Sequence, residues 1–139
     1  MNIEENIDWI ENYGFILVAF AHMTDWALVD AEIEVISEKL QLMLSQSNQE
    51  YSKDAASRKL VEILQRYEAL KEGKGEIMME NLLIACESLK KEPWFDELAA
   101  TMMVRFLAEV AEADHKIEKT EVQLLKNLAD VFGVKSPQI

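Results

Sequence analysis

The sequence predicts an all-α fold, a single-domain bundle of six or seven helices with two pseudo-repeated helix-loop-helix units. The composition is the first reason. The good helix formers Ala, Leu, Glu, Lys and Met are abundant, whereas only four Gly and two Pro interrupt the chain. The second reason is that apolar residues recur at helical spacing along most of the chain. A length of 139 residues suits one domain, so residues 1–139 are assigned to a single helical domain.

The helices follow in order from this spacing. Residues 3–12 predict a short helix, after which Gly14 is expected to break or bend the chain. Residues 15–24 are apolar on all sides, so this helix should lie at the centre of the core. Amphipathic helices are predicted over 30–44, 53–72 and 76–90. Pro93 is expected to be the first residue of the following helix. Its predicted core stripe is Phe95, Leu98, Met102, Phe106 and Val110, and the last helix presents Val122, Leu125, Leu128 and Phe132 before Gly133.

One pattern occurs twice, over residues 17–33 and 106–122. Each copy is an apolar helix that ends near an Asp, then a short loop with one aliphatic residue, then a Glu that opens the next helix. The corresponding pairs are Asp25 and Asp114, Leu28 and Ile117, and Glu32 and Glu121. The repetition predicts two related helix-loop-helix corners near opposite ends of the chain.

The acids of these corners are the candidate metal ligands. Calcium and magnesium prefer carboxylate and carbonyl oxygens, which a helix-loop-helix corner can supply. The candidates are Asp114 and Glu121 in the second corner, and Asp25, Asp30 and Glu32 in the first. A purely structural alternative stays open, because Asp and Glu at helix ends also cap backbone groups. The spacing excludes an EF-hand, which requires a central Gly and acids at alternate positions.

The second corner, over residues 113–121, resembles the TerB-like family, the tellurite-resistance B type of small helical bacterial domains. Downstream, Leu124, Leu125 and residues 132–134 fit the same pattern, while residues 24–32 fit it less closely. The resemblance implies an all-α fold with two such helix pairs, a divalent-cation site made by loop acids, and an association with stress and tellurite resistance. It implies no catalytic activity. The family's loop Gly is replaced here by Trp26 and His115.

Charge and composition exclude several classes of function. The formal net charge is −12, which repels phosphate backbones and anionic lipid heads, so nucleic acid is not an expected partner. The sequence shows neither a signal peptide nor an apolar stretch long enough to span a membrane, which predicts a cytoplasmic protein without membrane insertion. The acidic surface suits a cation or a basic protein partner.

A few residues other than the loop acids could bear chemistry. Cys86 lies in an apolar helical stretch and is expected to be a buried, inert thiol. His22 lies on the most apolar helix and is expected to be a hydrogen-bonded core histidine rather than a base. The methionines are expected to fill the core, although Met-rich surfaces also bind helical partners. Trp26, in a loop, is a candidate anchor for a partner.

The sequence therefore predicts a non-catalytic, TerB-like accessory or regulatory protein that responds to a divalent cation, namely calcium, magnesium or zinc. The alternative is a protein-protein interaction module or homodimeric scaffold that holds no metal. An enzyme is disfavoured, because no motif joins a nucleophile to a base.

Overall fold

A computed structural model describes residues 9–25, 30–46, 53–71, 75–113 and 119–136 of the chain. These residues form six α-helices and no strand, which confirms the all-α prediction. The helices are α1 (Trp9–Asp25), α2 (Asp30–Gln46), α3 (Lys53–Lys71), α4 (Gly75–Lys90), α5 (Glu97–Glu112) and α6 (Lys119–Phe132). The predicted start of the first helix at residue 3 lies outside the described residues. In the described part of the chain, no helix has the length and apolarity needed to span a membrane.

Helix α1 is the centre of the bundle. It contacts each of the other helices, and every residue from Phe15 to Ala21 is fully buried. This confirms the prediction made from its apolar sequence, because a helix without a polar face is stable in water only when neighbours cover all its sides. Arg66 of α3 adds polar contacts to one side of α1. Its guanidinium lies 4.1 Å from the centroid of the Phe15 ring, and its Nη1 donates to Asn12 Oδ1 at 3.3 Å.

Gly14 does not break the chain, so this part of the prediction is wrong. Gly14 lies inside α1, which continues without interruption from Trp9 to Asp25. A Cβ atom at this position would collide with Ile63 Cδ1 of α3 and would lie only 3.1 Å from Leu40 Cδ2 of α2. The glycine thus lets two helices approach the α1 backbone closely, and this benefit outweighs its poor helix propensity.

The start of α5 also differs from the prediction. Pro93 is not the first helical residue but lies in a turn that joins α4 to α5. The helix begins at Glu97, and Asp96 is its N-cap, with Asp96 Oδ1 accepting a hydrogen bond from the Ala99 N–H at 2.9 Å. The capping side chain satisfies a backbone donor at the helix start, so it sets the boundary more effectively than the proline does.

The buried face of α5 is only partly the predicted one. Phe106 and Val110 are buried as expected, Phe95 and Met102 are half-buried, and Leu98 is 69% exposed. The buried residues of α5 are Ala100, Met103, Val104, Phe106, Leu107, Ala108, Val110 and Ala111. The methionines behave as core fillers: Met78 and Met103 are fully buried, and Met79 and Met102 pack against the core.

Helix α6 ends as its sequence predicts. Gly133 has φ +72°, a conformation that costs little only for glycine. The Gly133 N–H donates to Asp130 O at 3.1 Å, and the Val134 N–H donates to Ala129 O at 3.0 Å. This is the hydrogen-bond pair of a Schellman motif, and half-buried Val134 packs on the core as the motif requires.

We expect G14A to destabilise the protein by about 1 kcal/mol, because overpacking costs more than the gain in helix propensity. I63V alone should cost about 0.5–1.5 kcal/mol. The double variant G14A/I63V should cost less than the sum of the two, since Val lacks the Cδ1 atom that the new methyl group meets. Urea denaturation of the four proteins measures these values. Additive losses would contradict the close approach of α1 and α3.

Candidate functional site

Glu32 and Glu121 are the buried acids of the two corners. Each lies in the first turn of its helix, α2 or α6, and each is only 1% exposed. Both carboxylate oxygens of Glu121 are inaccessible to solvent. The acids next to Glu32 in α2 are not buried: Asp30 and Glu34 are both exposed. Two glutamates that correspond in the repeated motif thus share an environment that is rare for a charged side chain.

The remaining candidate ligands are exposed or lie outside the described residues. Asp30 is the first residue of α2 and is exposed. Asp25 is the last residue of α1, but its side chain is outside the described residues, and so is the whole of Asp114. Within the described ranges, no three His, Cys, Asp or Glu side chains converge in a way that could hold a metal ion. The described residues therefore supply one buried carboxylate per corner, and the assembly of a complete ligand set stays a prediction.

The donor chemistry of these corners fits a hard cation. Every candidate ligand is a carboxylate, which suits calcium or magnesium better than the softer nitrogen and sulfur ligands that zinc sites commonly contain. Burial strengthens any electrostatic contact that such a carboxylate makes, and it makes the loss of that contact costly. A first-turn Glu is also stabilised by the helix dipole and can form a capping box. These two roles explain the same geometry without a metal ion.

His22 lies in the last turn of α1, close in sequence to the first corner. Its Nδ1 is 2.8 Å from Tyr67 Oη of α3, and the two rings meet edge to face with centroids 5.1 Å apart. Both side chains are buried. This confirms the expectation of a hydrogen-bonded core histidine, and the tautomer of the imidazole determines which of the two atoms donates. The pair ties the end of α1 to α3.

Among the described residues, a charged contact joins α2 to α5. Lys39 Nζ of α2 lies 2.7 Å from Glu109 Oε2 of α5 and 4.8 Å above the Phe106 ring. The ammonium group therefore gains both an ion pair and a cation-π contact. Lys39 is largely buried, with 15% of its side chain exposed, so this contact is better shielded from solvent than the surface ion pairs of α3 and α4.

Cys86 does not form a nucleophilic site. The thiol is free and fully buried in α4. Burial raises the pKa of this thiol to about 12, with a smaller contribution in the same direction from Glu87 and an opposing one from Lys90. Because the thiolate is the reactive form, a thiol in this environment is inert at neutral pH. The burial of Cys86 confirms that part of the prediction, and its lack of reactivity stays a prediction.

A shallow groove of about 370 Å³ was not anticipated from the sequence. It lies where the start of α5 meets the end of α6, and it is lined by Lys90, Phe95, Asp96, Glu97, Ala100, Phe132, Gly133 and Val134. The Asp96 carboxylate already accepts the capping hydrogen bond, and the terminal amides of residues 133 and 134 are used by the Schellman motif. The N-cap Asp and the C-terminal Gly were visible signals in the sequence, but their proximity depends on the tertiary packing.

Comparisons of the chain with protein-family models, with curated proteins and with solved structures find no match. The loop residues Trp26 and His115, which distinguish this chain from the TerB-like pattern, lie outside the described residues.

We expect Y67F to destabilise the protein by about 1–2 kcal/mol, because it leaves buried His22 without the hydroxyl partner. Tyr13 is the matched control. It is also fully buried, but its hydroxyl has no hydrogen-bond partner among the described residues, and burial raises the pKa of its phenol. Y13F should therefore be neutral or slightly stabilising. Chemical denaturation of both variants measures this difference, and equal losses would argue against a specific role for the His22–Tyr67 hydrogen bond.

We expect Cys86 of the folded protein to resist a thiol reagent such as a disulfide-exchange dye at about pH 8. With a pKa of about 12, only about one thiol in ten thousand is ionised at that pH. The thiol should react fully once denaturant unfolds the chain. The absorbance of the released dye measures the reaction, and rapid labelling of folded protein would overturn the assignment of Cys86 as inert.

Proposed function

We propose that this chain is a non-catalytic, TerB-like accessory or regulatory domain of the cytoplasm, in which two acidic corners respond to a divalent cation. The observation that carries the proposal is the matching burial of Glu32 and Glu121 in the first turns of α2 and α6. The pseudo-repeat that we propose consists of the helix pairs α1–α2 and α5–α6. Matching burial supports it, because generic surface glutamates in first turns have no reason to be equally inaccessible.

A divalent cation is a ligand that suits buried carboxylates. A carboxylate that folds into a dry environment loses its hydration, and ligation of a divalent ion is one way to offset that loss. Glu121 and Asp114 would form the second site, and Glu32 with Asp25 or Asp30 would form the first. The all-oxygen donor set favours calcium or magnesium over zinc. The resemblance to the TerB-like family links such a domain to stress and tellurite resistance.

The absence of catalysis belongs to the same proposal. Among the described residues, the Cys86 thiol is buried and His22 is buried against Tyr67, so neither is exposed to act as a nucleophile or a base. The alternative function, a metal-free protein interaction module, is supported by exposed apolar side chains on α4 and by the net charge of −12.

Calorimetric and thermal titrations with calcium, magnesium, manganese and zinc test the cation proposal on metal-stripped protein. We expect saturable binding and a melting temperature that rises with cation concentration, because a ligand of the folded state stabilises it. D114A/E121A should abolish binding at the second corner. The exposed pair Glu34 and Glu38 provides the matched control, E34A/E38A, which should leave binding unchanged.

Titrations of the wild type that show no saturable binding and no change in melting temperature would overturn the cation proposal. Glu32 and Glu121 would then be capping residues, and the interaction module would become the better function for the chain.

A further inference from the structure

We propose that the outer face of α4 binds a basic amphipathic helix of a partner protein. This proposal goes beyond the cation response and does not depend on it, because the surface concerned contains none of the candidate metal ligands. The outer face is defined here as Glu76, Ile77, Glu80, Leu83, Ile84 and Glu87, all of which are exposed.

Helix α4 has apolar residues on its exposed surface as well as on its buried side. Its inner side packs on α1 and buries Met78, Leu82, Ala85, Cys86 and Leu89. On its outer face, Ile77 and Ile84 are 42% and 54% exposed, and Leu83 is 39% exposed. Ile77 and Ile84 are two helical turns apart and therefore share one side of the helix. A surface helix normally presents polar residues to water, so packing among the described residues does not account for this second apolar stripe.

The other helices do not share this feature. Among the described residues, large hydrophobic side chains are exposed singly on α2, α3 and α5, at Leu42, Val61 and Leu98, whereas α4 has three. Single exposed apolar residues are ordinary on protein surfaces, but a group on one helix indicates a binding surface.

Acidic residues alternate with these isoleucines. Along α4, the order Ile77, Glu80, Ile84, Glu87 follows the three- and four-residue steps that place side chains next to each other on one face. Lys90 makes only a long contact with Glu87, with 3.4 Å between Nζ and Oε1, and this exposed ion pair is worth little. The face therefore offers apolar contacts and negative charge at helical spacing.

The complementary occupant is a helix with apolar and basic residues at the same spacing. Its apolar side chains would cover Ile77 and Ile84, and its Lys or Arg side chains would meet Glu80 and Glu87, as in known helix recognition. A second copy of this chain fits less well, because each copy has a net charge of −12 and would oppose one acidic row with another. Anionic lipid is disfavoured for the same reason.

A fluorescently labelled model peptide tests the proposal with the full chain in the presence of EDTA. The peptide is about as long as α4 and carries Leu and Lys alternating at three- and four-residue steps, with Ala elsewhere. A peptide of shuffled order but the same composition is the control. We expect saturable one-to-one binding by anisotropy, weaker at high salt, and a much lower affinity for the shuffled peptide.

Variants locate the site. I77A/I84A should weaken binding at least about tenfold, because it removes the central apolar contacts while alanine preserves the helix. V61A/L98A removes two exposed apolar side chains from α3 and α5 and should change the affinity less than about twofold. E80Q/E87Q should weaken binding and reduce its salt dependence, whereas E34Q/E38Q on α2 should not. Far-ultraviolet circular dichroism verifies that each variant stays folded.

Three results would overturn the proposal: no saturable binding, equal losses in the α4 and control variants, or no preference over the shuffled peptide. A wild-type dimer in sedimentation that becomes monomeric in I77A/I84A would also overturn it, in favour of self-association. Because EDTA is present throughout, a failed cation titration does not affect this result, and failure of the peptide to bind leaves the cation proposal standing.

Discussion

The fold depends on the requirement that every side of α1 be covered. The segment from Phe15 to Ala21 has no polar side, so its burial is complete only when helices pack on it from all directions. Each of the other helices contributes to that cover. Gly14 makes the arrangement tighter, because the missing side chain brings Ile63 and Leu40 against the backbone of α1. The layout of the bundle follows from this one central helix, because each of its neighbours buries apolar residues against it.

The same dry core restricts what polar groups can do. His22 is accommodated because Tyr67 lies within hydrogen-bonding distance, and Cys86 is accommodated because burial keeps its thiol protonated. The Tyr13 ring packs against the Trp9 and Phe106 rings. Its hydroxyl is buried with no hydrogen-bond partner among the described residues, which costs free energy of folding. None of these groups is arranged for chemistry on a substrate. The residues with functional potential lie at the starts of α2 and α6 and on the outer face of α4.

These two regions suggest a division of tasks. The corner glutamates are buried at helix starts, where a bound cation would act on the ends of the helix pairs α1–α2 and α5–α6. The outer face of α4 is a separate surface. The inner side of the same helix packs on α1. Lys39, which contacts both Glu109 and the Phe106 ring, connects the two helix pairs to each other.

The all-helical character of the described residues, the limits of α2, α3 and α4, the central place of α1 and the burial of His22 and Cys86 were predictable from the sequence. These features are local, or they follow from strong apolar periodicity. The exposure of Leu98, the role of Gly14, the turn at Pro93 and the burial of Glu32 and Glu121 were not predictable. Periodicity identifies residues that share a face, but neighbours distant in sequence determine which face is covered. The candidate acids came from the repeated motif, whereas their different exposures arise from tertiary packing alone.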